Sequence, residues 1–316
     1  MKGFHMIVFE NVTKIYDGDN VGLENASIRI NKGDFVFLVG PSGAGKSTFI
    51  KLILKEINAD SGSIKVNGKE VTKLSNREVP QLRRRIGIVW QDFRLLPNKT
   101  VFENVAFAME ILHKPKKMIR KKVPQVLSLV GILDKVDKYP NELSAGEQQR
   151  VAIARAIINK PTVLIADEPT GNLDPDTAAE IMDLLNQINI TGTTILMVTH
   201  AKDIVDRMQK RVIAIESGHI VRDEFGQYGY AEESGGEYDE AENEAEDEDA
   251  AAGAEESSPY AEDDNASVES ESLADQIVDR VVAAAAGEAA AGDCGGAETE
   301  GDIKEEEVPK DENDRL

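Results

Sequence analysis

A nine-residue run at positions 40–48, Gly-Pro-Ser-Gly-Ala-Gly-Lys-Ser-Thr, constrains this chain more than any other feature. It fits the phosphate-binding pattern G-x-x-x-x-G-K-[ST]. The apolar run at 35–39 before it predicts a buried strand, and the apolar spacing at 49–54 after it predicts a helix. A strand, a glycine-rich loop and a helix in this order aim backbone N–H groups at an anion.

The loop residues have distinct expected roles. The Lys46 ammonium would reach the β- and γ-phosphates of a nucleotide, and the Ser47 hydroxyl is the expected Mg²⁺ ligand. A glycine-rich turn with an incidental lysine is the alternative, and the flanking elements count against it. Nucleotide contacts are predicted for the whole loop, which consists of Gly40, Pro41, Ser42, Gly43, Ala44, Gly45, Lys46, Ser47 and Thr48.

The net charge of −22 is divided unevenly along the chain. Residues 223–316 hold 33 acidic and 4 basic residues, a net of −29, which leaves 25 acidic and 32 basic residues, a net of +7, for residues 1–222. The acidic part has too little apolar surface to offset the entropy of ordering its chain. We therefore expect one folded domain over 6–222 and a disordered acidic tail over 227–316.

One part of the tail has a different pattern. Leu273, Ile277 and Val281 recur every four residues, so residues 270–286 could form a short amphipathic helix on binding a partner. A solvated alanine-rich tail is the alternative.

The single cysteine, Cys294, excludes an internal disulfide framework and suits a reducing cytosol. The first six residues contain no long apolar run, so we expect no secretory signal. No stretch reaches 18 consecutive apolar residues, and we expect no membrane span. If the protein works at a membrane, another chain must hold it there.

Predicted strands and helices fill the rest of the domain. The further predicted strands cover 6–9, 26–30, 62–66, 86–90, 162–166 and 193–198, with a closing hairpin of 212–216 and 219–221. The further predicted helices cover 101–111, 118–130, 147–159 and 176–188. The first three of these helices form an expected helical insertion at about 92–158.

Two adjacent carboxylates follow the predicted strand at 162–166. Asp167 lies at the C-terminal end of a predicted strand that neighbours the phosphate loop. From there it would hold Mg²⁺ through the waters that the ion coordinates. Glu168 would act as the base for the attacking water, or would orient it. An acidic pair that caps the following segment is the alternative, and the phosphate loop favours the catalytic interpretation.

The run Leu143-Ser-Ala-Gly-Glu-Gln-Gln-Arg150 opens a predicted helix. Ser144 and Glu147 fit a capping box, which is the structural interpretation. The small residues through Gly146 also let the helix N-terminus approach a phosphate closely. Two copies of the chain related by a two-fold axis could each offer this N-terminus to the other's phosphate loop.

These motifs resemble those of ABC-transporter ATPases, in the same order along the chain. The resemblance covers residues 6 to about 222 and rests on Gly40–Thr48, Gln91, Leu143–Arg150, Asp167-Glu168, Leu173-Asp174 and His200. It implies an α/β P-loop NTPase fold with a RecA-like core, an antiparallel β subdomain and a helical subdomain. It also implies an ATP-hydrolysing homodimer that closes on ATP and Mg²⁺ and reopens after hydrolysis.

Further roles follow from this resemblance alone. Tyr16 is similar to the aromatic residue that stacks on adenine, and Asp174 to a residue that crosses the dimer interface. Gln91 resembles the residue that senses Mg²⁺ and the attacking water, and His200 the one that contacts the γ-phosphate. Taken singly, Tyr16 would be an ordinary surface tyrosine and His200 a satisfied polar histidine.

One residue departs from the family pattern. Ala145 stands where the family's signature usually has its first glycine. Its methyl group would weaken closure on a phosphate unless the residue keeps a negative φ. We expect hydrolysis to persist, at a reduced rate.

The run Ala166–Asp174 is similar to the branch of the family that powers cell-division, lipoprotein-release and macrolide-export systems. Residues 76–97 most resemble the cell-division members. This implies a four-helix integral-membrane partner, a place on the cytoplasmic face of the membrane and control of peptidoglycan hydrolases. One alternative is the ATPase of an export or lipoprotein-release system. Another is a soluble ABC ATPase that acts on nucleic acid, and the net charge of +7 on residues 1–222 supports it only weakly. The acidic tail could repel an anionic membrane, tether another cell-division protein or only keep the protein soluble.

Overall fold

The structure is a computed structural model that describes residues 5–16, 18, 20–226 and 228. Apart from Tyr228, the predicted tail lies outside the described residues, and so do the amphipathic pattern at 270–286 and Cys294.

The described residues form ten strands and seven α-helices. The strands are β1 (His5–Tyr16), β2 (Asn20–Asn31), β3 (Phe35–Val39), β4 (Ser61–Val66), β5 (Lys69–Glu70), β6 (Ile86–Val89), β7 (Val163–Asp167), β8 (Thr194–Val198), β9 (Arg211–Glu216) and β10 (His219–Phe225). The α-helices are α1 (Lys46–Ile53), α2 (Val79–Arg83), α3 (Val101–Glu110), α4 (Lys116–Leu129), α5 (Ala145–Ile157), α6 (Pro175–Ile190) and α7 (Lys202–Met208).

The strands form two sheets. The first is antiparallel, in the order β2-β1-β4-β5. The second has the order β10-β9-β3-β8-β7-β6, and all its neighbours are parallel except the β9–β10 hairpin. Parallel strands need covered faces, and their nearly continuous apolar sequences match this requirement.

The register of the parallel sheet brings three strand ends to one edge. Leu38 on β3 pairs with Val198 on β8, and Val198 pairs with Asp167 on β7. The segments that leave these three strands therefore start side by side. In open α/β sheets this carboxyl edge is where ligands bind.

The side-chain alternation of β3 divides the core into two clusters. Phe37 and Val39 face a cluster built with helices α3 to α7. Val36 and Leu38 face a second cluster, built with α1 and the antiparallel sheet. In this second cluster Phe9 of β1 stacks on Phe49 of α1, with ring centroids 4.2 Å apart, so the antiparallel sheet is anchored on the helix that follows the phosphate loop.

The predicted α/β P-loop fold is confirmed, with the antiparallel sheet beside the core and helices α3, α4 and α5 between β6 and β7. Several details differ from the sequence prediction. The short helices α2 and α7 were not predicted, and β8 lies between β3 and β7, so the carboxylate strand is not the immediate neighbour of β3. The domain limits of 6–222 and about 92–158 stay predictions. No helix in the described part of the chain is both long and apolar enough to cross a bilayer.

Candidate active site

The phosphate loop connects β3 to α1 and depends on two glycines with positive φ. Gly40 has φ +144°, and a Cβ there would collide with the carbonyl oxygen of Ile215. Gly45 has φ +117°, and a Cβ there would collide with the carbonyl oxygen of Gly22. Any side chain at either position would be strained and would clash with backbone, so the loop conformation requires glycine.

Lys46 is folded back over this loop. Its Nζ donates to the carbonyl oxygens of Gly40 at 2.7 Å and Pro41 at 2.8 Å. Burial lowers the pKa of Lys46, and the charges of Glu168 and Asp167 oppose that shift. The ammonium therefore lies within electrostatic reach of the carboxylate pair, as expected for groups that would share a triphosphate and a metal ion.

Tyr16 lies at the end of β1, against the start of α1. Its hydroxyl is 3.1 Å from Oγ1 of Thr48, and its ring covers Gly22, where a Cβ would lie 2.6 Å from the tyrosine Cε2. The structure thus brings Tyr16 to the phosphate loop. Its adenine-stacking role stays a prediction.

Asp167 and Glu168 lie at the carboxyl edge of the parallel sheet, where β7 ends. Burial, together with the charge of Glu168, raises the pKa of Asp167. Glu168 has a left-handed backbone with φ +48°, and its N–H donates to the carbonyl oxygen of Val198 at 2.9 Å. This tie to β8 fixes the point where the chain leaves the sheet.

His200 follows β8 and meets the carboxylate of Glu168. Its Nδ1 lies 3.1 Å from Oε1 of Glu168, and its side chain is 65% exposed, against 21% for the glutamate. The predicted base and the predicted γ-phosphate contact are therefore in direct contact. Because His200 is open to solvent, it remains accessible to a bound phosphate.

Gln91 follows β6 and completes this group. A Cβ built on Gly171 would lie 3.3 Å from Nε2 of Gln91 and 3.5 Å from Oε2 of Glu168. The amide and the carboxylate therefore both approach Gly171, where any larger side chain would crowd them. Asn172 supports the arrangement by donating from Nδ2 to the Gln91 carbonyl oxygen at 3.3 Å.

The predicted signature residues form a second group. Ser144 Oγ accepts from the N–H of Glu147 at 3.3 Å, and Oε2 of Glu147 accepts from the N–H of Ser144 at 2.8 Å. This capping box opens α5, and the backbone hydrogen bond from Ser144 lowers the pKa of Glu147. Ala145 is the first residue of α5 and is not among the residues with positive φ, so its methyl group costs no backbone strain.

Gly146 on α5 and Asp174 at the N-terminus of α6 belong to the same group, because the two helices pack together. A Cβ on Gly146 would lie 2.5 Å from Cγ2 of Thr177, so the first turn of α5 packs directly on the first turn of α6. Asp174 caps α6 by accepting from the N–H of Thr177 at 3.0 Å. Within the described residues no hydrogen bond or ion pair connects Ser144, Gly146 or Asp174 with the phosphate loop.

Two residues that sequence reasoning missed connect the signature helix α5 to the segments that follow Glu168 and Gln91. Gln149 is fully buried on α5 and donates from Nε2 to the carbonyl oxygen of Pro169 at 2.7 Å, while its Oε1 has no partner among the described residues. Arg155, also on α5, donates to the carbonyl oxygens of Phe93 at 2.7 Å and Arg94 at 2.6 Å. Both partners are distant in sequence, so no local pattern could have revealed these contacts.

Comparison with known proteins gives the family. A family model for ABC transporters matches residues 23–171. The cell division ATP-binding protein FtsE of Streptococcus pneumoniae is 54% identical over 226 residues, which cover 71% of this chain and 98% of that protein. The chain belongs to the FtsE family of ABC ATPases. FtsE of Mycobacterium tuberculosis is also 54% identical over 226 residues, and FtsE of Escherichia coli is 45% identical over 215 residues, or 97% of its length.

A solved structure supports the same assignment. The chain is 34% identical to the ATP-binding cassette MJ0796, with a TM-score of 0.64 over 70% of this chain and 98% of that one. That structure is a dimer in a post-hydrolysis state bound to ADP and Pi. Like other members of its family, this FtsE-family protein is an ATPase that binds and hydrolyses ATP.

Proposed function

We propose that this protein is the ATP-hydrolysing subunit of an FtsE–FtsX-type cell-division complex, in which closure of an ATP-bound homodimer drives an integral-membrane partner. The observation that carries the proposal is the carboxyl edge of the parallel sheet. The phosphate loop, the Asp167–Glu168 pair and His200 leave neighbouring strands there, and Gln91 joins them beside Gly171.

Each residue of this group has a proposed role in hydrolysis. Lys46 holds the β- and γ-phosphates, and Glu168 takes the proton of the attacking water or orients it. His200, which contacts the Glu168 carboxylate, binds the γ-phosphate and keeps the base in position. Gln91 senses the attacking water. Tyr16, half-buried beside Thr48, stacks on the adenine.

Three oxygen donors of the proposed site fit Mg²⁺. The hydroxyl of Ser47, the amide oxygen of Gln91 and the carboxylate of Asp167 are hard ligands of the kind this ion uses. In sites of this kind the phosphates of the nucleotide and water supply the other oxygens around the ion. When bound beside these residues, the ion would supply positive charge to offset the negative charge that develops during phosphoryl transfer.

The signature group acts across the dimer. Ser144 and Gly146 present the N-terminus of α5, and within one chain they are not bonded to the phosphate loop. A second copy would place this N-terminus on the γ-phosphate, with Asp174 near the interface. The solved dimer of MJ0796 supports this arrangement.

The relatives named for cell division support a membrane partner. We propose an FtsX-like protein with four membrane helices, which holds the ATPase at the cytoplasmic face and controls peptidoglycan hydrolases outside the cell. The proposed ATPase domain spans residues 6–222, with the helical insertion at about 92–158 and an acidic tail at 227–316.

Nucleotide binding tests the site directly. Lys46→Ala is expected to abolish ATP binding and hydrolysis, because Lys46 is the cation of the loop. Lys51→Ala removes an exposed lysine from the same helix and is the matched control. Unchanged ATP affinity in Lys46→Ala would refute the proposed role of the loop.

Co-purification tests the partner. A tagged full-length chain isolated from membranes of its own cells is expected to carry a four-span protein in a nucleotide-dependent manner. Recovery of a longer permease instead would favour the lipoprotein-release or export function.

A further inference from the structure

Gln149 is a fully buried amide in the second turn of α5. Its Nε2 donates to the carbonyl oxygen of Pro169 at 2.7 Å. A carbonyl oxygen can only accept, so the nitrogen of the amide must be the atom that faces Pro169. The amide oxygen of Gln149 is buried as well and has no hydrogen-bond partner among the described residues. Because an unpaired buried oxygen is unfavourable, an amide at this position serves for its donor and not for packing.

Pro169 comes directly after Glu168, the proposed base, and is itself buried. Proline has no N–H, so its carbonyl oxygen is the one backbone group through which the chain can be hydrogen-bonded at this position. The Gln149 amide supplies a donor to that oxygen. A side chain without a donor at position 149 would therefore release the chain immediately beyond the base.

The backbone of Glu168 needs support on both sides. Its left-handed φ of +48° is uncommon for a residue with a side chain and persists only where its surroundings fix it. On one side, the N–H of Glu168 donates to the carbonyl oxygen of Val198 on β8 at 2.9 Å. On the other side, Gln149 holds the carbonyl oxygen of Pro169. Strand β8 and helix α5 thus fix the backbone from which the carboxylate reaches His200.

The same face of α5 contacts the far end of this segment. Gly146 comes three positions before Gln149, and residues three apart are neighbours on a helix. A Cβ on Gly146 would lie 2.5 Å from Cγ2 of Thr177, near the start of α6. Helix α5 therefore contacts residues 169–177 at both ends. The N-terminus of α5 is also the end proposed to meet the partner's γ-phosphate, so a shift of α5 on closure would reach the base.

We propose that Gln149 is a positioning residue for hydrolysis, which holds Glu168 in place relative to the N-terminus of α5 through the carbonyl group of Pro169. Gln149 acts on the base through the backbone and does not touch the nucleotide. The inference rests on the proposed role of Glu168. Loss of the hydrogen bond should lower kcat and leave ATP binding, for which Lys46 is the proposed cation, almost unchanged.

Two substitutions separate the hydrogen bond from packing. Gln149→Met keeps the length of the side chain and removes the donor, so kcat is expected to fall, by up to about 100-fold if the base moves by an ångström, with KM for ATP little changed. Gln149→Glu keeps the shape, but a carboxyl group can donate to Pro169 only while it is protonated. Gln187→Glu, at an exposed position on α6, is the matched control and should keep the kcat of the unaltered protein.

The pH profile of Gln149→Glu gives a readout that a purely structural role would not change. Burial raises the pKa of a carboxyl group, so the introduced group is protonated at the acid end and loses its proton as the pH rises. Its kcat, divided by that of the unaltered protein at each pH from about 5 to about 9, should approach one toward acid and fall with rising pH. The same ratio for Gln149→Met should be low at every pH, because that variant lacks both the donor and a charge.

Rates are compared at a temperature at which circular dichroism shows every variant to be folded. Three results would overturn the proposal: normal kcat in Gln149→Met, a loss that lies in KM alone, and a ratio for Gln149→Glu that does not change with pH. Glu168→Gln separates these outcomes from failure of the proposed function. Normal turnover in Glu168→Gln would refute the base itself, whereas an inactive Glu168→Gln beside a fully active Gln149→Met would refute only the positioning role.

Discussion

Arg155 on α5 donates from Nη2 to the carbonyl oxygen of Phe93 at 2.7 Å, and so joins the signature helix to the loop that follows Gln91. The same guanidinium donates to the Arg94 carbonyl oxygen at 2.6 Å. Phe93 and Arg94 both have left-handed backbones, with φ +57° and +47°. Residues held there cost of order 1–3 kcal/mol each and persist only when their surroundings fix them. Arg155 supplies part of that constraint.

Loss of this link should slow hydrolysis more than it weakens ATP binding. Arg155→Ala removes both donors and frees the loop, so Gln91 would no longer be held beside Glu168. We expect kcat to fall, by up to about 100-fold if Gln91 moves by an ångström, with KM for ATP little changed. Steady-state ATPase kinetics measures both parameters.

The matched control for this prediction is Arg94→Ala. The Arg94 side chain lies 4.0 Å over the ring of Trp90, but its carbonyl group, the acceptor for Arg155, is kept in the variant. Nearly normal kcat is expected. A rise in KM without a fall in kcat for Arg155→Ala would show that the link serves nucleotide binding instead.

The contact between α5 and α6 predicts a specific rescue. In Gly146→Ala the new methyl group would meet Cγ2 of Thr177 at 2.5 Å, and overpacking of this kind costs ~1–3 kcal/mol. We expect a lower ATPase rate and a lower melting temperature. Adding Thr177→Ser removes Cγ2 but keeps the N–H that Asp174 accepts, so it should restore both. Failure of this double variant to recover would mean that Gly146 is needed for another reason, such as contact with a phosphate.

Replacing Ala145 by glycine should change the ATPase rate little. Because it adopts ordinary helical backbone at the start of α5, its methyl group causes no strain. Ala145→Gly is expected to change the ATPase rate by less than about twofold, and glycine can lower helix stability by up to ~1 kcal/mol. A large gain in rate would show that the methyl group hinders closure on the phosphate, as the sequence alone led us to expect.

At neutral pH the nucleotide-free protein should be less stable with Asp167 than with asparagine at the same position. Burial and the neighbouring Glu168 raise its pKa above the ordinary value of 3.8. Its contribution to stability is therefore greatest below that value and is lost as the pH rises through the higher pKa of the folded state. Asp167→Asn should melt at a higher temperature than the unaltered protein at neutral pH, with a difference that shrinks toward acid.

Thermal unfolding from about pH 4 to about pH 8, a range that spans ordinary and raised carboxyl pKa values, tests this prediction. Asp183→Asn, which removes an exposed carboxylate from α6, controls for net charge. Asp167→Asn should also lose Mg²⁺-dependent hydrolysis. A lower melting temperature for this variant at neutral pH would mean that the ionised carboxylate stabilises the fold.

Much of the fold was predictable because it depends on local pattern. The strand before Gly40 and the helix after Lys46 were recognisable from apolar spacing, and Ser144 was recognisable as a capping residue. Helix α7 was missed because its seven residues are too few to show a helical period. Strands β1 and β2 are longer than predicted because exposed polar residues interrupt their apolar pattern.

The parts of the site that depend on tertiary contact were not predictable. Arg155 and Arg94 are 61 positions apart, and nothing near either residue indicates the other. The same holds for Gly146 and Thr177, which meet only because α5 and α6 pack together. The order of strands, with β8 between β3 and β7, likewise follows from pairing that a single sequence does not display.

The central claim is that two chains close on ATP and that Glu168 ends the closed state by promoting hydrolysis. Light scattering on the Glu168→Gln variant, with and without MgATP, tests this claim most directly. We predict a stable dimer with MgATP, a monomer with ADP and no measurable ATP turnover. A variant that stays monomeric with MgATP, or that hydrolyses ATP at the normal rate, would contradict it.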